Sequence, residues 1–121
     1  MNYSTDNTRI IDKVDLVTPN DVISKYPLTD EISKLVYGTR NEVSQILHGK
    51  DDRLIAVVGP CSIHDPDSAE EYAKLLIDEK KKYEEDILLI MRVYFEKPRT
   101  SIGWKGLIND PDMDNTFDAN K

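Results

Sequence analysis

Two uninterrupted apolar runs, Leu54-Ile55-Ala56-Val57-Val58 and Ile87-Leu88-Leu89-Ile90-Met91, constrain this chain more than any other feature. Five apolar residues without a polar break do not suit a strand with one wet face; they suit strands covered on both faces, as in parallel sheets. The first run stops at Gly59-Pro60, a turn signal. Between the runs, from Asp65-Pro66 to Tyr83, Ala69, Tyr72, Ala73 and Leu76 recur on one helical face. Acids crowd the start of that stretch and Lys80-Lys81-Lys82 its end, as the helix dipole favours. Strand, helix, strand is a βαβ unit, whose strands run parallel and whose crossover is right-handed in about 98% of cases. The fold class is α/β.

The order of the other segments places this unit second. Residues 1–50 predict an amino-terminal arm and helices. Residues 1–17 are polar with scattered Ile10, Ile11, Val14, Leu16 and Val17, an arm that needs something to lie on. Thr18-Pro19 fits an N-cap with proline at the first helical position, starting a short helix that stops before Tyr26-Pro27. Thr29 caps a second helix, in which Ile32, Leu35, Val36, Val43, Ile46 and Leu47 keep helical spacing until Gly49. Residues 51–121 then read as strand 53–59, helix 66–83, strand 87–95 and a loop over 96–121. Two strands patterned for double burial need more sheet and more helices than these residues supply, so the chain reads as the opening of a larger α/β protein.

Composition removes several functions. A net charge of −7 and a pI near 4.8 argue against binding nucleic acid or an anionic membrane through the overall field. No apolar run approaches the ~20 residues that span a bilayer, and MNYSTDNTRI holds no secretory apolar core, so a cytoplasmic location is expected. The single cysteine, Cys61, cannot close an internal disulfide and stays a thiol in a reducing compartment. Walker A, Gly-x-Gly-x-x-Gly and nucleophile-elbow patterns do not occur.

The chemistry gathers after the two strands. If the strands are neighbours, Cys61 and the segment from Arg92 share the C-terminal rim, where α/β folds bind ligands. Residues 92–105 carry Arg92, Lys97, Arg99 and Lys105 against Glu96, a cationic island in an acidic chain. Guanidinium forks, ammonium groups and the Thr100 hydroxyl suit small phosphorylated acids, although ordinary surface cations would show the same spacing. Arg92 interrupts an apolar strand and needs an anionic partner there, structural or a ligand. Tyr94, Phe95 and Trp104 interleave with the cations, a pattern shared by packing residues and by single-strand nucleic-acid binders; overall acidity disfavours the second. Cys61 fits either a small buried hydrophobe or a metal-binding thiolate. With His64 it makes a Cys-x-x-His pair, but only His48 remains, so a complete structural zinc site is excluded.

Gly59-Pro60-Cys61-Ser62-Ile63-His64-Asp65-Pro66, Met91-Arg92-Val93-Tyr94-Phe95-Glu96-Lys97-Pro98-Arg99-Thr100 and Gly103-Trp104-Lys105-Gly106-Leu107-Ile108-Asn109-Asp110-Pro111 together closely resemble the microbial 3-deoxy-D-arabino-heptulosonate 7-phosphate (DAHP) synthases of the feedback-regulated type. The resemblance covers nearly the whole chain and about the first third of such an enzyme. It implies a (β/α)₈ TIM barrel with an amino-terminal extension, of which this chain holds the extension and the first βαβ unit. The implied activity is the first step of the shikimate pathway: phosphoenolpyruvate condenses with erythrose 4-phosphate and phosphate is released. By motif, Cys61 resembles a thiolate ligand to a divalent metal of the Mn, Fe, Co or Zn type, the catalytic metal that polarises the aldehyde. Arg92 and Lys97 resemble the residues holding phosphoenolpyruvate, and Lys97, Pro98, Arg99 and Thr100 the loop around erythrose 4-phosphate. A homo-oligomer and an aromatic amino-acid effector are implied as partners, with no nucleic acid and no membrane. The remaining metal ligands do not appear in these residues, and His64 does not replace them. The 121 residues alone are therefore expected to be inactive, and the alternative is a non-catalytic fragment retaining subunit or effector binding.

Overall fold

The computed structural model describes residues 5–10, 12–96 and 102–121. Two helices precede a βαβ unit: α1 Pro19–Lys25, α2 Asp30–Leu47, β1 Leu54–Val58, α3 Pro66–Lys82 and β2 Ile87–Met91. Each helix starts where a short polar side chain satisfies orphan N–H groups. Thr18 accepts from the Asp21 N–H at 3.3 Å, while the Asp21 carboxylate accepts from the Thr18 N–H at 3.1 Å, a reciprocal capping box ahead of Pro19. The Thr18 hydroxyl, donating at 2.7 Å, and the Thr18 N–H together hold the Asp21 carboxyl below the usual carboxylate range. Thr29 accepts from the Ile32 N–H at 3.2 Å to start α2. Asp65 accepts from the Ser68 N–H at 2.9 Å and the Ser68 hydroxyl at 2.6 Å to start α3 at Pro66.

The strands are neighbours and parallel, in register from Leu54 against Ile87 to Val58 against Met91. The ladder opens with the Leu54 N–H on the Asp86 carbonyl at 2.9 Å and closes with the Arg92 N–H on the Val58 carbonyl at 2.7 Å. The next rung would need the N–H of residue 60, and Pro60 has none. That is why β2 ends at Met91 and not at the expected residue 95, and why β1 is Leu54–Val58 within the expected 53–59. α3 likewise ends at Lys82, with Tyr83 as its cap.

α2 lies against β1 and α3 against β2. Among the described residues only Ile63 and Leu88 are fully buried apolar side chains. The burial on both faces expected from the apolar runs is not reached: Leu54 is 70% and Val57 57% exposed, because two helices cover only part of the sheet. The base of the unit is tied by Arg53. Its Nε and Nη2 donate to the Asp51 carboxylate, Nη2 also to Glu42 of α2 at 3.1 Å, and Nη1 to the Glu84 carbonyl between α3 and β2 at 3.1 Å.

The arm does find a support. The Asn120 amide accepts from the Val17 N–H at 2.9 Å and donates to the Asp15 carbonyl at 2.9 Å, joining the two ends of the described chain.

Candidate functional site

At the C-terminal ends of the strands, two turns face each other. Gly59-Pro60-Cys61 leads away from β1, and Arg92 through Glu96 leads away from β2. A Cβ on Gly59 would collide with the Arg92 carbonyl oxygen, so the close approach of the two segments needs glycine there. Arg92 Nη1 donates to the Pro60 carbonyl at 2.9 Å and to the Cys61 carbonyl at 3.3 Å. Its guanidinium lies over the Tyr94 ring, 4.8 Å from the ring centre. The Ile63 N–H closes the other side of the turn on the Tyr94 carbonyl at 2.9 Å. Cys61 and Arg92, 31 positions apart, therefore share one edge.

Arg92 differs from its expected setting in one respect. It stands one residue past the strand, half-buried, and not inside an apolar run. Two carbonyl dipoles and an aromatic face meet its charge, and among the described residues no carboxylate lies within ion-pair distance of it. No structural anion among these residues answers the need that the sequence raised.

Cys61 is exposed, which sets aside the buried-hydrophobe reading. His64 is exposed as well. Beside it, the Asp65 carboxyl sits below its ordinary pKa, chiefly because the Ser68 hydroxyl and then the Ser68 N–H donate to it. Among the described residues no three His, Cys, Asp or Glu side chains gather into a group able to hold a metal ion. Cys61 is thus a single candidate donor, and these residues do not themselves fit a divalent metal. Lys97, Pro98, Arg99 and Thr100, the other expected substrate-binding residues, lie outside the described residues.

The stem of the loop that carries them is described. Glu96 bridges Gly106 in antiparallel fashion, and the Leu107 N–H donates to the Phe95 carbonyl at 3.0 Å. Beyond it, the buried Asp110 carboxylate accepts from the Asn115 N–H at 3.1 Å, its N–H donates to the Gly106 carbonyl at 3.0 Å, and its carbonyl accepts from the Trp104 indole. Glu96, Gly106 and Asp110 all fall within the motifs that carry the family resemblance, but neither the Glu96–Gly106 bridge nor the contacts of Asp110 were read from them, because composition and spacing do not show which groups meet.

Three comparisons bear on these residues. The model of the DAHP synthetase I family matches residues 25–121. The phospho-2-dehydro-3-deoxyheptonate aldolase named Phe-sensitive from Escherichia coli is 48% identical over 120 residues, 99% of this chain and 34% of that protein. The phospho-2-dehydro-3-deoxyheptonate aldolase of Haemophilus influenzae is 52% identical over 118 residues, 97% of this chain and 32% of that protein. A solved structure of the Francisella tularensis phospho-2-dehydro-3-deoxyheptonate aldolase superposes with a TM-score of 0.84 at 52% identity, covering 92% of this chain and 33% of that one. The chain spans about one third of the length of these relatives. With the family model covering residues 25–121 and Cys61 and Arg92 brought to one edge, the chain belongs to the DAHP synthetase I family.

Proposed function

We propose that this rim is part of a DAHP synthase active site, in which phosphoenolpyruvate and erythrose 4-phosphate condense to DAHP and phosphate. The observation that carries the reading is the pair of bonds from Arg92 to the Pro60 and Cys61 carbonyls, which sets an anion-binding guanidinium beside the Cys61 turn. On this reading the βαβ unit opens a (β/α)₈ barrel, and the segments after β1 and β2 form the first part of its catalytic face. The family resemblance extends the reading to a homo-oligomer with an aromatic amino-acid effector, in keeping with the Phe-sensitive name of the Escherichia coli relative.

Arg92 and Lys97 hold the enol phosphate, with Arg92 offering a planar fork to its oxygens. Lys97, Pro98, Arg99 and Thr100 surround the sugar phosphate. The cations bring together two anions that otherwise repel, which supports the bimolecular step by orientation. C3 of the enol phosphate bonds to the aldehyde carbon, water adds at C2, and phosphate leaves as the C2–O bond breaks. Cys61 is one donor toward a divalent metal. The described residues do not assemble the rest of that metal's site.

The test follows phosphoenolpyruvate consumption with erythrose 4-phosphate and a divalent metal ion, in the full-length polypeptide as the cell makes it and in the 121 residues alone. Turnover is expected from the first and none from the second. Arg92→Ala in the first is expected to lower kcat/KM for phosphoenolpyruvate roughly 30- to 1,000-fold, the cost of truncating a charged hydrogen-bonding partner. A cellular product that consumes no phosphoenolpyruvate overturns the proposal, and binding of an aromatic amino acid without turnover favours the non-catalytic alternative.

A further inference from the structure

Tyr94 touches both halves of the rim. Its ring faces the Arg92 guanidinium at 4.8 Å, and its carbonyl accepts from the N–H of Ile63, which is 5% exposed and anchors the opposing turn. Arg92 Nη1 is taken by two carbonyls, while among the described residues nothing accepts from its Nε or Nη2. Those remaining donors are the ones available to an anion, and the plane of the guanidinium decides where they point. Stacking on an aromatic face fixes that plane; without it, a long arginine side chain samples several rotamers and must be ordered by the ligand itself. It is the ring face that meets the guanidinium.

We infer that Tyr94 is a positioning residue for Arg92: its ring orients the guanidinium toward the enol phosphate, while its carbonyl holds the Cys61 turn at matching height. This rests on the reading that Arg92 holds phosphoenolpyruvate.

The experiment uses full-length protein in three forms, wild type, Tyr94→Phe and Tyr94→Leu, with two readouts. Steady-state kinetics is expected to show Tyr94→Phe within twofold of wild type. Tyr94→Leu should raise KM for phosphoenolpyruvate about 2- to 30-fold, the worth of a cation–π contact, with KM for erythrose 4-phosphate within twofold. Independently of activity, the Nε–H proton of Arg92, followed by NMR with labelled arginine, should be shifted upfield by the ring in wild type and Tyr94→Phe and should lose that shift in Tyr94→Leu. If Tyr94→Leu does not fold, Tyr94→Met takes its place, filling the space without a ring. An Arg92 resonance that ignores the ring overturns the positioning role, as does a leucine variant that raises both KM values and lowers kcat together. A resonance that responds in a protein that never uses phosphoenolpyruvate leaves the positioning intact and sinks the substrate reading.

Discussion

At Gly106 the chain adopts φ +134°, and an added Cβ would collide with the Phe95 carbonyl and the Glu96 carboxylate. That conformation strains any residue with a side chain, so Gly106→Ala is expected to cost on the order of 1–3 kcal/mol and to open the loop stem. Hydrogen exchange at the Leu107 N–H, which the stem protects, reads this directly; unchanged protection would contradict it. The same stem buries a Glu96 carboxylate oxygen for which the described residues supply no hydrogen-bond donor. Leu88, 1% exposed, is the best-buried apolar side chain of the sheet. Leu88→Ala is expected to cost about 2–5 kcal/mol by transfer and cavity terms together, measured as lost protection of the β1–β2 ladder amides.

Among the elements, α3 carries the clearest dependence on pH. The Asp65 carboxyl caps this helix and sits below its ordinary value, chiefly through the Ser68 hydroxyl and then the Ser68 N–H. A carboxyl whose folded pKa lies below its unfolded value of about 3.9 stabilises the folded state above that value. The contribution is lost as pH falls through the lower, folded value. Protection of the Ser68 N–H is therefore expected to be flat from neutral pH to about pH 5 and to decline in acid, whereas Asp65→Asn keeps a cap without that decline. A wild-type profile identical to that of Asp65→Asn would refute the assignment. At the opposite end of the sheet, Arg53 joins α2, the start of β1 and the turn before β2 through Glu42, Asp51 and the Glu84 carbonyl. Asp51 is held below, and Arg53 above, their usual ranges, each chiefly by the hydrogen bonds between their side chains. Both side chains are partly buried, and by joining three segments this node sets how α2 approaches the strand.

Across the whole molecule, surface is the dominant quantity. The described structure exposes 10516 Å², whereas a compact monomer of 13.9 kDa is expected to expose about 6,700 Å² by the usual scaling with mass. An apolar hollow between α2, α3 and β2, lined by Leu35, Val36, Leu76, Ile77, Leu89 and Met91, belongs to this excess. Among the described residues both strands also keep an unpaired edge. The 121 residues alone are therefore expected to form a loosely packed, dye-binding or aggregating species, tested by ANS fluorescence and sedimentation. A monomer with one sharp cooperative unfolding transition would count against this. Among the described residues no helix is long and apolar enough to cross a membrane.

The helices and strands of this protein are written locally. Thr18, Thr29 and Asp65 cap helices because a short polar side chain can satisfy nearby N–H groups wherever it stands. Pro60 ends the ladder because it carries no N–H, a property of that residue alone. The pairing of apolar runs and the placing of Cys61 and Arg92 on one edge were equally legible, since parallel strands joined by a helix have their C-terminal ends together. The partners of Arg92, the stacking of Tyr94, the Asp110 loop and the Asn120 support of the arm were not legible. Each depends on groups far apart in sequence meeting within a few ångströms, and composition or spacing is blind to such distances. How much of each apolar run meets protein was decided by tertiary structure too, because burial belongs to the layers around a strand and not to the strand's own residues.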